Sequence, residues 1–184
     1  QWRLTYTGTV METRQLTPSP FLPDPDRPRV AVARNVDPYA AAQEALAGFD
    51  LSAASGRRVL VKPNAGRIAA PGDGITTNPA VVAAAIAAFQ AAGAEVAVGE
   101  SPITGVSALE ALQATGIAAV AEEYGCALLD MDARQPVEVS LPEGKAIHSL
   151  KVCPEVIEFD LVVSVPVMKV HMHTGVTLAV KNMK

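Results

Sequence analysis

The fold of this chain is decided by residues 58–98, which read RVLVKPNAGRIAAPGDGITTNPAVVAAAIAAFQAAGAEVAV. An apolar run ends at Pro63, a glycine-rich loop follows, and Asn78-Pro79 opens an alanine-rich segment that leads to a second apolar run. Short apolar runs separated by a helical segment are typical of parallel strands that helices cover. Asparagine followed by proline is typical of a helix start. The stretch therefore predicts a strand, a helix and a second, parallel strand.

Further elements of the same kind lie on both sides of this stretch. Apolar runs predict strands at 30–33, 126–129 and 160–165. Alanine-rich segments predict helices at 38–48, 107–115 and 117–124. Two further segments, 137–141 and 146–152, predict a β-hairpin. We therefore expect an α/β fold with a mostly parallel sheet, helices on both faces in Rossmann-like layers, and a small β-hairpin insertion.

Length, composition and charge exclude several classes of protein. The 184 residues suit one domain, and 49% of them are apolar, which is enough for a sizeable core. The net charge of −4 gives no basic surface of the kind that binds nucleic acid. No apolar run approaches the roughly 18 residues that span a bilayer. We therefore expect no nucleic-acid partner, no membrane span, and a cytoplasmic location or an exported chain whose signal has been removed.

Residues 1–28 differ from the rest because they are rich in proline and lack a hydrophobic period. Proline at this density favours an extended chain, so we interpret the segment as a tail or linker. Residues 29–184 would then form the α/β domain. The chain begins with Gln1 and ends at Lys184 without a closing element, which predicts a fragment whose domain is incomplete at the C-terminus.

Polar residues follow three of the predicted strands at the point where each one ends. Lys62 and Asn64 follow the first strand of the opening stretch, and Glu100 follows the second. Lys169 and His171 follow the last predicted strand. In open α/β sheets, ligands bind beyond the carboxyl ends of the strands. The three strand ends therefore predict one binding site.

The loop that precedes the central helix adds a second kind of candidate. Thr76, Thr77 and Asn78 stand directly before Pro79. Free backbone N–H groups and the helix dipole attract anions to a helix start, and these side chains would add donors. Alternatively, Asn78 only caps the helix and Thr77 only supports the turn. The loop contains neither the GxxxxGKS/T phosphate loop nor the GxGxxG dinucleotide motif.

The densest polar run is KVHMHTGVTLAVKN, residues 169–182. In an extended chain, Lys169, His171 and His173 would point to one side. Two histidines in this arrangement are able to ligate zinc or nickel, or to act as acid and base near neutral pH. A solvated surface without function is the third interpretation.

The second half of this run predicts a helix. A helix beginning near Thr174 would place Thr177 and Lys181 on one face. Glu100 ends its strand and is the preferred carboxylate for a general base or a metal ligand. The sequence thus predicts catalysis by Lys169, His171 and Glu100, and metal binding by His171 and His173. It predicts ligand or cofactor binding by Lys62, Asn64, Thr76, Thr77, Asn78, Thr174, Thr177, Lys181 and Asn182.

Five ordered motifs support placing these residues in one domain. They are Val59-Leu-Val-Lys62-Pro63-Asn64, Gly74-Ile-Thr-Thr-Asn78-Pro79, Val98-Gly99-Glu100-Ser101-Pro102, Ser164-Val-Pro166-Val-Met-Lys169-Val-His171 and Thr174-Gly-Val-Thr-Leu-Ala-Val-Lys181-Asn182-Met-Lys184. In this order they resemble the domain-of-unknown-function 362 family. The resemblance extends from about residue 30 to the last residue.

The resemblance implies a domain with no general reaction assigned, often joined to a ferredoxin-like module with cysteine quartets. It thus implies an iron–sulfur association, a redox link and a ferredoxin-like partner. This chain has only Cys126 and Cys153, so it carries no such ligand set. Family domains extend past the last motif, which again implies a missing C-terminal part. The same region is also similar to a segment of the nickel-pincer lactate racemase family, where Lys181 and His171 are the nearest counterparts of the cofactor-holding residues.

Two classes of function follow. In the first, an enzyme or redox-linked domain binds an anionic substrate or cofactor, and Glu100 or a histidine moves protons. In the second, a non-catalytic module serves as a scaffold for an iron–sulfur partner. The first predicts that the strand-end side chains converge, and the second predicts an exposed apolar patch and no closed pocket around the histidines. We expect the first, because charged residues that end buried strands require a partner.

Overall fold

The computed structural model describes Thr5–Thr7, Val10–Glu12, 19–21 and 26–183. The strands of this part of the chain are β1 (Thr5–Thr7), β2 (Val10–Glu12), β3 (Arg58–Pro63), β4 (Glu95–Glu100), β5 (Ala127–Asp130), β6 (Val137–Ser140), β7 (Ser149–Val152), β8 (Leu161–Val165), β9 (Lys169–His171) and β10 (Gly175–Thr177). The helices are α1 (Pro38–Leu46), a 3₁₀ helix (Ser52–Ala54), α2 (Pro79–Ala91), α3 (Ala108–Ala114), α4 (Ile117–Glu123), α5 (Glu155–Glu158) and α6 (Ala179–Asn182). No helix in these ranges is long and apolar enough to cross a membrane.

The main sheet consists of four parallel strands in the order β5-β4-β3-β8. α2 connects β3 to β4, and α3 and α4 connect β4 to β5, as crossovers between parallel strands require. The strand–helix–strand unit predicted for residues 58–98 is therefore confirmed, with β3 in the interior of the sheet. The predicted α/β class is confirmed as well, and most element boundaries differ from the prediction by only a few residues.

The central helix α2 begins where the sequence predicts it. The Asn78 side chain accepts a hydrogen bond from the Ala80 N–H at 2.9 Å, which caps the helix, and Pro79 occupies its first turn. Gly93 follows the helix with a φ of +84°, a left-handed conformation that glycine adopts without steric strain. Because α2 follows β3 in the chain, the start of α2 lies on the side of the sheet where β3 ends.

The hydrophobic core lies between the strands β3 and β4 and the helices that connect the sheet. Val59 and Val61 of β3 are fully buried in it, and Val96 and Val98 of β4 join them. These positions alternate along each strand, so they share one face of the sheet. The helices contribute aliphatic and aromatic side chains to the same cluster, chiefly Val82, Ile86, Phe89, Leu112 and Ile117.

The chain also forms two smaller sheets. β6 and β7 are antiparallel neighbours, which confirms the predicted β-hairpin. β2 pairs with β6 in parallel, and β1 pairs with β2. Since β1 and β2 lie within residues 1–28, the segment predicted as a tail contributes two short strands. The division of the chain at residue 28 stays a prediction.

The strand predicted at 30–33 is wrong. These residues form no strand, and Val30 and Val32 are 80% and 91% exposed. The segment instead passes Gly48, whose carbonyl accepts a hydrogen bond from the Arg29 guanidinium at 2.8 Å. An apolar run becomes a strand only when its backbone groups find a neighbouring strand, which the run alone does not supply.

The helix predicted to begin near Thr174 is also wrong. β10 occupies residues 175–177 and pairs with β9 as an antiparallel hairpin, in which Thr177 lies opposite Lys169. The helix α6 begins only at Ala179. Gly175 has a φ of +72°, a left-handed conformation that lets the chain reverse direction into the hairpin.

Cys126 and Cys153 are free thiols in half-buried positions. Burial raises the pKa of both thiols, and for Cys153 the neighbouring Ser101 side chain partly opposes this. A raised pKa keeps a thiol protonated near neutral pH and makes it a weak nucleophile.

We expect the substitution Ile86→Ala to lower the free energy of unfolding by about 2–5 kcal/mol, because it removes a buried side chain and leaves a cavity. Ile86 is fully buried. Urea unfolding followed by circular dichroism measures the change. The control is Ile147→Ala, since Ile147 is 51% exposed and its truncation should change stability by less than about 0.5 kcal/mol. Equal losses in both variants would place Ile86 outside the core.

Candidate functional site

A cleft of about 740 Å³ opens at the carboxyl ends of β3, β4 and β8. Loops that follow these strands form part of its wall, and the segment from β9 to α6 forms another part. This volume lies within the range of pockets that hold small molecules. The cleft contains seven of the predicted site residues: Lys62, Asn64, Glu100, Lys169, Thr177, Lys181 and Asn182.

A buried ion pair between Lys62 and Glu100 forms the base of the cleft. The two side chains are 4% and 2% exposed, and the Lys62 ammonium donates to Oε1 of Glu100. Glu100 also accepts hydrogen bonds from the backbone N–H groups of Ser101 and Ala65, both at 2.8 Å. Charges so deeply buried require this degree of pairing. Both Glu100 oxygens are thus engaged within the protein, and its predicted role in proton transfer stays a prediction.

Thr77 joins two strand ends below the cleft. Its hydroxyl accepts a hydrogen bond from the Asn64 N–H at 2.8 Å and donates one to the Val165 carbonyl at 2.6 Å. The Thr77 N–H in turn donates to the Asn64 carbonyl at 2.9 Å. Thr77 and Thr76 are buried, and Asn78 caps α2. None of the three lines the cleft, so this geometry favours the capping interpretation of the helix start.

Lys169 points from β9 to the loop that follows β3. Its ammonium donates to Oδ1 of Asn64 and, at 3.1 Å, to the Ile75 carbonyl. Partial burial lowers the pKa of Lys169, and the positive charges of Arg67 and Lys181 lower it further, while Glu100 acts in the opposite direction. Lys169 therefore releases its proton more readily than an exposed lysine does.

Asn182 connects α6 to the main sheet. Its amide nitrogen donates to the Lys62 carbonyl and to the Ser164 hydroxyl, both at 3.0 Å. Asn182 is only 7% exposed, and its Oδ1 has no hydrogen-bond partner within the described ranges. A buried acceptor without a partner is uncommon in a folded protein.

The histidines lie outside the cleft. His171 ends β9, but His173 lies in the turn that follows, so the predicted placement of both with Lys169 on one side of an extended chain is wrong for His173. Nδ1 of His171 lies 3.3 Å from the backbone nitrogen of His173 and 3.4 Å from that of Thr174, and accepts from both. Thr174 is likewise outside the cleft. The part of the chain that the structure describes contains no cluster of three or more metal-binding side chains.

Arg67 was not among the predicted site residues. This side chain lines the cleft three residues after Asn64, in the glycine-rich loop that joins β3 to α2. A single arginine in an exposed loop is usually a solvated surface residue, so its type alone gave no signal. Its position three residues after a strand-end asparagine was the available signal.

The charges around the cleft are unbalanced. Lys62 is paired with Glu100, but Arg67, Lys169 and Lys181 form no ion pair with any described carboxylate. This excess of positive charge occurs in a chain whose net charge is −4. Three cations at one opening create a positive potential that attracts anions.

The hydroxyl of Thr77 is expected to be structural. We expect Thr77→Val to lower the free energy of unfolding by about 1–3 kcal/mol, because it removes the hydrogen bonds to Asn64 and Val165 and keeps the side-chain volume. Thermal and urea unfolding measure the loss. Thr104→Val is the control, since Thr104 is exposed at the cleft. An unchanged stability in Thr77→Val would contradict the role of the hydroxyl.

The lowered pKa of Lys169 is testable by competitive acetylation at increasing pH, with mass spectrometry of each lysine. We expect the labelling midpoint of Lys169 to lie below that of the exposed Lys151. Arg67→Gln should raise the midpoint of Lys169, because it removes a neighbouring positive charge. The control Arg27→Gln alters an exposed arginine outside the cleft and should leave the midpoint unchanged. Identical midpoints for Lys169 and Lys151 would refute this description of the cleft.

Comparison with known proteins places the chain in a family. The family described as "Domain of unknown function (DUF362)" matches residues 59–184, which include every cleft residue named above. The chain is 30% identical over 148 residues to thylakoid-associated protein sll1697 of Synechocystis sp., an alignment that covers 76% of this chain and 42% of that protein. It thus spans less than half the length of that relative, and no solved structure matches it. The chain belongs to the DUF362 family.

Proposed function

We propose that the cleft binds an anionic small molecule, either a substrate or a cofactor. The observation that carries the proposal is the group of three cations, Arg67, Lys169 and Lys181, which have no carboxylate partner in the described chain. Arg67 would contribute a planar set of donors suited to phosphate or carboxylate oxygens. The two lysines would contribute point charges at the same opening.

The mutual repulsion of these cations supports the same conclusion. Arg67 and Lys181 both lower the pKa of Lys169, which means that each makes its protonated form less favourable. An anion between them would reverse this effect and raise the pKa again.

Proton transfer in such a site would fall first to Lys169. Its ammonium is held by two acceptor oxygens inside the cleft, and its lowered pKa makes the neutral amine accessible. Glu100 lies at the base of the cleft, and His171 lies outside it, two residues after Lys169 in β9. The predicted catalytic set Lys169, His171 and Glu100 is proposed here with Lys169 in the leading role. A redox link and an iron–sulfur partner are proposed from the family resemblance alone.

A second candidate function is an accessory module that docks on a partner protein, such as a ferredoxin-like module. The observation in its favour is an exposed apolar surface on and beside the β9–β10 hairpin. Met168, Val170, Met172 and Val180 are 75%, 93%, 88% and 92% exposed. Surfaces of this kind mark interaction sites in many proteins. The two candidates differ in whether the cleft itself binds an anion.

Titration of the purified protein with pyrophosphate by calorimetry at low ionic strength decides between them. We expect saturable binding, and we expect Arg67→Gln and Lys181→Gln each to weaken it about tenfold, because each removes one charge-assisted contact. The control is Lys151→Gln, which removes a lysine of β7 outside the cleft and changes the net charge by the same amount.

The outcomes are distinct. Weaker binding in the two cleft variants and unchanged binding in Lys151→Gln would support the proposal. Equal weakening in all three variants would mean that pyrophosphate responds only to overall charge. Absence of binding to the folded protein would overturn the proposal and leave the accessory module as the better candidate.

A further inference from the structure

Large aliphatic side chains stand exposed at the opening of the cleft beside its cations. Ile75 and Ile103 are each 45% exposed and Leu178 is 43% exposed, and all three line the cleft. Exposed aliphatic side chains gathered at a concave site favour an apolar ligand surface, because its binding removes both surfaces from water. We call these three residues the aliphatic rim.

Backbone hydrogen bonds hold each member of the aliphatic rim close to a cation. The Ile75 carbonyl accepts from the Lys169 ammonium at 3.1 Å. The Ile103 N–H donates at 3.3 Å to the carbonyl of Gly66, the residue before Arg67. These contacts place aliphatic and cationic groups side by side on two different loops.

The third pair follows the same pattern in α6. The Leu178 carbonyl accepts from the Asn182 N–H at 3.1 Å, within the single helical turn that contains Lys181. The aliphatic rim and the three cations therefore line one opening. The volume of about 740 Å³ exceeds what an inorganic anion alone would fill.

We propose that the ligand of the cleft is an anionic amphiphile: one molecule with a phosphate or carboxylate group and an aromatic or short aliphatic body. This inference rests on the proposed function and names the class of its ligand. The cations bind the anionic group, and the aliphatic rim covers the apolar body.

Four probes test the inference: inorganic phosphate, phenyl phosphate, 1-naphthyl phosphate and uncharged 1-naphthol, each titrated into the purified protein. We expect affinity to rise from phosphate to phenyl phosphate to 1-naphthyl phosphate, by at least about tenfold over the series, because each step buries more apolar area. 1-Naphthol should bind at least about tenfold more weakly than its phosphate ester, because it lacks the charge.

A matched pair of variants locates the apolar contact. Ile103→Thr keeps the branched shape of the side chain and replaces apolar surface with a hydroxyl, and it should weaken 1-naphthyl phosphate binding several-fold without changing phosphate binding. Ile147→Thr makes the same change at a 51% exposed position that does not line the cleft, and it should change neither affinity. Circular dichroism of both variants checks that they are folded.

The results separate failure of this inference from failure of the proposed function. If phosphate and its two esters bind with equal affinity, or if Ile103→Thr behaves like Ile147→Thr, the cleft takes an anion but no apolar body, and the inference falls. If 1-naphthol binds as tightly as 1-naphthyl phosphate, or if no phosphate compound binds, the cations do not select an anion. Both this inference and the proposed function are then contradicted.

Discussion

The buried ion pair of Lys62 and Glu100 is the interaction on which the cleft depends. The two groups are almost completely removed from water, where a charge persists only if its partner and hydrogen bonds are complete. Glu100 meets that condition with one ammonium and two backbone N–H groups. The pair joins the ends of β3 and β4 and neutralises both residues internally. The charge that the cleft presents to a ligand therefore comes from Arg67, Lys169 and Lys181.

Contacts between distant parts of the chain assemble the rest of the site. Asn64 meets Lys169 across 105 positions of sequence, and Lys62 meets Asn182 across 120 positions. Thr77 holds the end of β3 against the end of β8. The parallel sheet makes these contacts feasible, because its strands all end at one edge. The hairpin of β9 and β10 then brings lysine and threonine side chains back to that edge.

Much of the fold was predictable because its signals act between neighbours in sequence. Asn78 caps α2 through a residue two positions away, and Val59 and Val61 alternate toward one face as any buried strand does. The segment at 30–33 has the same local character, yet it forms no strand, since a strand also requires a partner. Gly175 illustrates the same limit, because a glycine permits both a turn into a helix and a hairpin.

By itself the sequence determined the parallel sheet, the caps of its helices and the strand ends at which a site had to lie. These features follow from side-chain type and spacing within a few residues. Only the tertiary structure decided which candidates share the cleft. The cleft includes Lys169 and Asn182, does not include His171 and His173, and adds Arg67. The physical reason is that convergence depends on hydrogen bonds between segments more than 100 positions apart, and no local pattern encodes their geometry.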